Sequence, residues 1–137
     1  FKDRFDGYIS AMEGAGYLPK AYEYDEDNDN MSAIIDLLLS RYGLPDAVFG
    51  CNDTAAIRAM EELQARGINI PEEVSIMGFD DIVNSSATTP SLTTFKIFKH
   101  EMGVVGSRRL QSLLIGNEPH PTKISLFTEF VQRESTL

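Results

Sequence analysis

The sequence predicts an α/β protein of three layers, α-β-α, built on a mainly parallel, doubly wound sheet. Three observations carry this. Residues 47–50 and 74–79 are short apolar runs that stop abruptly at polar pairs, Asn52-Asp53 and Asp80-Asp81. Residues 54–66 between them have helical periodicity, which makes a β-α-β unit. Helical and strand patterns then alternate along almost the whole chain, in the order α-β-α-β-α-β-loop-β-α-β, the signature of a doubly wound sheet. No internal repeat, low-complexity tract or linker interrupts it.

Each element has a local reason. Phe5, Tyr8, Ile9, Met12 and Ala15 recur at helical spacing, and Gly14 or Gly16 stops that helix. Residues 21–24 read as a short strand, and 25–30 form an acidic loop. Asn30 or Ser32 can cap the next helix, which runs to Tyr42, where Gly43 supplies the left-handed end and Pro45 lies just beyond. After the strand at 47–50, Asn52 or Asp53 caps the helix that Gly67 ends. Pro71-Glu72-Glu73 turns the chain into strand 74–79. Residues 80–91 lack apolar periodicity and read as a loop, and 92–98 as a strand. Met102, Val105, Gly106, Leu110, Leu113 and Leu114 line one face of a helix ending at Gly116. A turn is expected at 117–121 and a last strand at 124–131.

The chain has 137 residues, the length of one domain, and 42% of them are hydrophobic, as in an ordinary globular protein. A formal charge of −9 sets it against phosphate backbones and anionic membranes, because nucleic-acid binders need a basic patch for counterion release. This segment is therefore not expected to grip DNA itself. A single cysteine, Cys51, excludes an internal disulfide framework and a cysteine-based zinc site. The most apolar stretch, 33–39, is broken by Asp36, and no signal-peptide pattern is present, so a cytoplasmic location is expected. The sequons at Asn52 and Asn84 are chance matches in such a chain. Phe1 stands where an initiator Met would be, inside a helical pattern, which points to a piece of a longer polypeptide.

Small molecules bind open parallel sheets at the carboxyl ends of the strands, which here carry an amide and carboxylates. Asn52 and Asp53 can cap a helix; Asn52 can also offer a donor and an acceptor to a hydroxyl while Asp53 caps. Asp80 and Asp81 can be held by loop amides, or Asp80 can accept from vicinal hydroxyls of a sugar or ribose. Two adjacent carboxylates also suggest acid–base chemistry or magnesium, but no nucleophile or phosphate loop accompanies them. Arg4 is either a solvated helix charge or a fork onto a polyol or carboxylate. Asp25, Asp27, Asp29 and Asp36 mimic the spacing of a calcium loop, yet Asn30 stands where a glycine is required and Asp36 where a bidentate Glu is, so a solvated acidic loop is expected. Cys51 precedes a helix N-terminus, and with His100 and His120 on distant elements it reads as a small buried residue. His100 fits the exposed first turn of a helix. No metal and no cofactor are expected.

Several strings in order resemble the LacI/GalR family of bacterial transcriptional regulators: Asn52-Asp53 at a strand end, Ile70-Pro71-Glu72-Glu73-Val74, Gly78-Phe79-Asp80-Asp81, Pro90-Ser91-Leu92-Thr93-Thr94 and Arg133-Glu134-Ser135-Thr136. Arg4, Gly7 and Tyr8 resemble the start of a helix in the same core, and the likeness covers nearly the whole chain. It implies a periplasmic-binding-protein-like core (type I), with a small effector such as a sugar held between two subdomains. By motif, Arg4, Asn52 and Asp80 would contact the effector, and Met31 would stand where many members place an aromatic ring. Ile57, Glu61, Asn84 and Thr88 would form the contact of a homodimer. Residues 1–91 and 123–137 would belong to the C-terminal subdomain, and 92–122 to an incomplete N-terminal one. DNA would be read only by a helix-turn-helix upstream of this chain, with no membrane involved. The resemblance implies no enzyme activity; the alternative is the sugar-binding protein of a transporter, and a third reading is a small α/β enzyme using Asp80 and Asp81.

Overall fold

A computed structural model describes residues 2–116 and 120–137. Its elements are α1 (Lys2–Gly14), α2 (Met31–Tyr42), β1 (Ala47–Phe49), α3 (Asp53–Ala65), β2 (Ser75–Met77), a 3₁₀ turn (Val83–Ser86), β3 (Thr94–Lys96), α4 (Lys99–Leu114) and β4 (Glu129–Val131). The turn expected at 117–121 lies largely outside the described residues.

The β1-α3-β2 unit forms as its pattern predicts. β1 and β2 pair in parallel, with Ala47 opposite Ser75 and Phe49 opposite Met77. Parallel bridges Met77–Thr93 and Asp80–Lys96 carry the ladder on to β3, which pairs antiparallel with β4. The C-terminal segment is stitched in behind β2: the Ile76 amide donates to the Ser135 carbonyl at 2.7 Å, and the Ser135 hydroxyl to the Ile76 carbonyl at 2.6 Å.

α3 presents Ala55, Ala56, Ala59, Met60 and Leu63 as one buried stripe. They join Ile35 of α2 with Ile70, Val74, Ile76 and Leu92 in a single core. The alanines let α3 lie very close to the end of β1. A Cβ on Gly50 would stand 2.6 Å from the Ala56 nitrogen, a backbone atom with nowhere to go. Gly50→Ala is expected to destabilise the fold by about 3 kcal/mol through overpacking. Gly7→Ala, on open α1, is expected to add a few tenths to about 1 kcal/mol by helix propensity. Urea denaturation of the two variants checks the contrast.

α2 and α3 are laced on their outer side. Arg66 donates to Asp36 at 2.7 Å, to the Ser32 hydroxyl at 2.9 Å and to Glu62 at 2.6 Å. The Arg66 hydrogen bond holds the Glu62 carboxyl below the usual carboxylate range. A depressed folded-state value means that the stabilisation is present above the unfolded-state pKa and lost as pH falls through the folded one. Glu62→Gln should therefore lower Tm at pH 7, with the deficit shrinking on acidification below about pH 4.3, which a thermal melt series reads directly.

Four features differ from the sequence expectation. Residues 21–24 are not strand. One side chain takes a backbone group of this segment and another just beyond it: Asn30 donates to the Glu23 carbonyl at 3.2 Å and accepts from the Asp25 amide at 3.0 Å. For the same reason Asn30, although it precedes α2, makes no side-chain cap. The strands expected at 92–98 and 124–131 shorten to the three-residue β3 and β4. The loop at 80–91 contains the 3₁₀ turn, held by a buried carboxylate described below. Neither α1 nor α4 contributes a buried residue.

Candidate ligand site at the carboxyl ends of β1 and β2

The two strand ends are built differently. After Phe49 the Gly50 amide still donates to Met77 at 2.8 Å, and then the chain turns into α3. Asn52 sits at the N-cap in extended conformation, φ −145° and ψ 171°, and its Oδ1 accepts from the Ala55 amide at 2.8 Å. With the carbonyl committed, the amide nitrogen faces outward and donates to Glu26 Oε1 at 3.0 Å.

Asp53 does the reverse of what its sequence position suggests. It does not cap the helix; its side chain is turned inward and fully buried. There it accepts from the Ile82 amide at 2.9 Å, from the Ser85 hydroxyl at 2.6 Å and from the Thr94 hydroxyl. One carboxylate thus ties the start of α3 to the loop after β2 and to β3. Gly78 leaves the room: a Cβ there would meet Asp53 Oδ1 at 2.3 Å. Cys51, expected to be buried, is exposed, because Gly50 takes the inward position beside α3.

At the end of β2 the backbone enters an uncommon region, with φ 122° at Asp80 and 49° at Asp81. Such conformations in non-glycine residues cost of order 1–3 kcal/mol and persist only where the surroundings over-determine them. The surroundings here are specific. The Asp80 amide donates to the Phe95 carbonyl at 2.8 Å. Asp81 is paired with Arg133 at 2.6 Å, and Arg133 also donates to the Leu92 carbonyl at 2.8 Å. Asp81 is thus a latch for the C-terminal segment, and Asp80 alone of the pair faces the site.

Arg4 of α1 joins the two strand ends. Its Nη1 donates to the Cys51 carbonyl at 2.6 Å and its Nη2 to Asp80 Oδ1 at 3.3 Å, while the guanidinium lies 3.8 Å from the centroid of the Phe79 ring. The structure therefore brings Arg4 to Asp80, and to the residue beside Asn52. A cleft of about 520 Å³ opens next to them, lined by Tyr22, Glu23, Tyr24, Glu26, Cys51 and Asn52.

Met31 does not line this cleft. It is 5% exposed and packs in the core with Ile35, because it opens α2 on the face turned toward α3. The residue that meets Asn52 is Glu26, which the sequence reading passed over as part of a solvated acidic loop. The calcium spacing in that loop has another use. Asp25 Oδ1 accepts from the amides of Asp27 and Asn28 at 3.0 and 3.3 Å, and Asp29 binds Arg58 of α3 at 2.8 Å. Among the described residues no cluster of His, Cys, Asp and Glu is arranged to hold a metal ion.

Ile57 and Glu61 lie one turn apart on α3, in the same stripe as Gln64, whose side chain donates to the Thr89 carbonyl at 2.8 Å. This places the loop carrying Asn84 and Thr88 beside that stripe. Asn84 is exposed in the 3₁₀ turn, Thr88 is half-buried, and His100 is exposed in the first turn of α4.

A parallel β-α-β unit with polar strand ends is the framework of a ligand-binding α/β domain, and the family model described as "Periplasmic binding protein-like domain" matches residues 1–136. The chain belongs to that family, and its fold is periplasmic-binding-protein-like. Its relatives within the family are LacI-type transcription regulators. It is 36% identical over 138 residues to the probable HTH-type transcriptional repressor ExuR of Bacillus subtilis (strain 168), covering 98% of this chain and 41% of that protein. It is 31% identical over 139 residues to the HTH-type transcriptional repressor PurR of Actinobacillus pleuropneumoniae serotype 3 (strain JL03), covering 98% and 41%. Among solved structures it superposes on the transcriptional regulator CelR–cellobiose complex with a TM-score of 0.87 and 30% identity, over 96% of this chain and 41% of that one. The lac repressor dimer bound to operator and the anti-inducer ONPF gives 0.87 and 27%, over 98% and 47%. The chain spans about two fifths of the length of the curated relatives it matches.

Proposed function

We propose that this chain is the effector-sensing and dimerisation part of a LacI-type DNA-binding transcriptional regulator, and that its effector is a small polar molecule such as a sugar. The observation that carries the reading is the Arg4 clasp, which joins Cys51 to Asp80 beside an open cleft. Arg4, Asn52 and Asp80 are the polar contacts. Met31 supports the site from the core rather than touching the effector.

Residues 1–91 and 123–137 form one subdomain, which Leu92, Thr93 and Thr94 also join through its core, Ser135 and Asp53. Beyond them, to residue 122, the chain crosses into a second subdomain that lies mostly outside it. The exposed apolar residues of α4, Met102, Leu110, Leu113 and Leu114, support that assignment, since such a face needs a partner. Two copies meet through Ile57 and Glu61 of α3 and through the loop of Asn84 and Thr88. DNA is read by an upstream helix-turn-helix, as in HTH-type repressors such as ExuR and PurR that the chain resembles, and the protein works in the cytoplasm. Among the described residues no helix is long and apolar enough to cross a membrane. The role is regulatory rather than enzymatic, as in the relatives, and the pairing of Asp81 with Arg133 speaks against an Asp80–Asp81 catalytic pair.

The mechanism is a shift between two subdomain angles. An effector that touches both subdomains fits one angle better, and it moves the equilibrium only by that difference in affinity. The angle sets the spacing of the paired DNA-reading heads. Fluorescence anisotropy of the full-length protein on duplex from its own promoter tests this. A saturating sugar drawn from a panel of hexoses, pentoses and disaccharides should change DNA affinity by about 5- to 150-fold. DNA affinity indifferent to every sugar that binds would overturn the reading.

A further inference from the structure

We propose that Glu26 determines the specificity of this cleft, selecting neutral or cationic polyols and rejecting their anionic counterparts. The inference rests on the proposed effector site and narrows its ligand class.

The donor and acceptor inventory points one way. Asn52 has spent its carbonyl on the Ala55 amide, so toward Glu26 it offers only N–H groups, and one of these is met by Glu26 Oε1 at 3.0 Å. An ionised Glu26 only accepts hydrogen bonds, and its remaining lone pairs call for a ligand that brings O–H or N⁺–H groups. The lining adds Glu23 and the two tyrosines Tyr22 and Tyr24, and no Lys or Arg among the described residues. The basic group at the strand ends, Arg4, is bound to the Cys51 carbonyl and to Asp80. On the wall of the cleft that this chain supplies, an anionic ligand would meet like charge, which interfaces use to exclude wrong partners.

Glu26 is also held in place. Asp25 closes the turn over Asp27 and Asn28, Asn30 fastens both sides of the loop base, and Asp29 ties the loop to α3 through Arg58. A loop fixed at each side of Glu26 keeps its carboxylate against Asn52 without cost at the moment of binding.

The test compares matched pairs by calorimetric titration of the full-length protein: neutral hexoses, the corresponding uronates and the corresponding 2-amino sugars. Wild type should bind a neutral or amino sugar at least about tenfold more tightly than its uronate, and Glu26→Gln, which still accepts from Asn52, should bring that ratio to within about threefold. Asp27→Asn, on the same loop but outside the cleft lining, should leave the wild-type ratio unchanged. A uronate that binds wild type as tightly as its neutral partner overturns the role of Glu26 and leaves the effector site standing, as does an unchanged ratio in Glu26→Gln. An equal collapse of the ratio in Asp27→Asn overturns it too, by assigning the effect to general surface charge. Failure of sugars of every charge to bind overturns the effector-site reading together with this one.

Discussion

Asp53→Ala is expected to lower folding stability by about 4 kcal/mol. The wild-type carboxylate is fully buried and receives the Ile82 amide and the hydroxyls of Ser85 and Thr94. Removing it strands those donors, and each buried unsatisfied group costs about 1–3 kcal/mol. The loss is not offset by apolar gain, because Ala fills only part of the space. Ser85→Ala and Thr94→Val remove a donor together with its need for an acceptor, and each should cost about 1 kcal/mol. Thr54→Ala, at the exposed neighbour, should stay within about 0.5 kcal/mol. Urea titrations of the four variants read the series. A loss for Asp53→Ala no greater than that of Thr54→Ala would mean that the carboxylate does not join α3 to β3.

The second large effect separates binding from stability. Asp80→Gly should weaken sugar binding by about 100-fold while leaving stability within about 1 kcal/mol of wild type. Asp80 holds φ 122°, a region that costs a non-glycine residue energy and glycine very little, so the substitution relieves strain. Against this stands the loss of the pair with Arg4, long at 3.3 Å and partly exposed, which contributes little. Tm and calorimetric affinity measured on the same preparation distinguish the outcomes. Loss of both together would make Asp80 a structural residue, and retention of both would remove it from the site.

Much of the frame is legible in the sequence because each signal is local. The apolar runs that end at Asn52-Asp53 and Asp80-Asp81 become β1 and β2, and the stripe from Ala55 to Leu63 becomes the buried face of α3. Gly43 does end α2, though not in the left-handed helical conformation: its φ of 76° and ψ of −166° fall in a region essentially confined to glycine. The errors arise where distant residues decide. Either of Asn52 and Asp53 can cap a helix, and what turns Asp53 inward is a pair of hydroxyls on Ser85 and Thr94, far along the chain. Residues 21–24 read as a short strand, but the side chain of Asn30 takes the Glu23 carbonyl and the Asp25 amide just beyond. Met31 stands in a suggestive position, yet the packing of α2 against α3 decides its surroundings and buries it. Glu26 was hidden for the opposite reason: nothing in an acidic loop marks which carboxylate will meet Asn52, a residue on another element.

A co-crystal structure of the full-length protein with its tightest-binding sugar tests the strand-end site most directly. Sugar oxygens within about 3.2 Å of Asp80, Asn52 and Arg4 are the predicted result. A sugar bound with full occupancy elsewhere, with the Arg4–Asp80 pair undisturbed and no ligand beside Asn52, would contradict it.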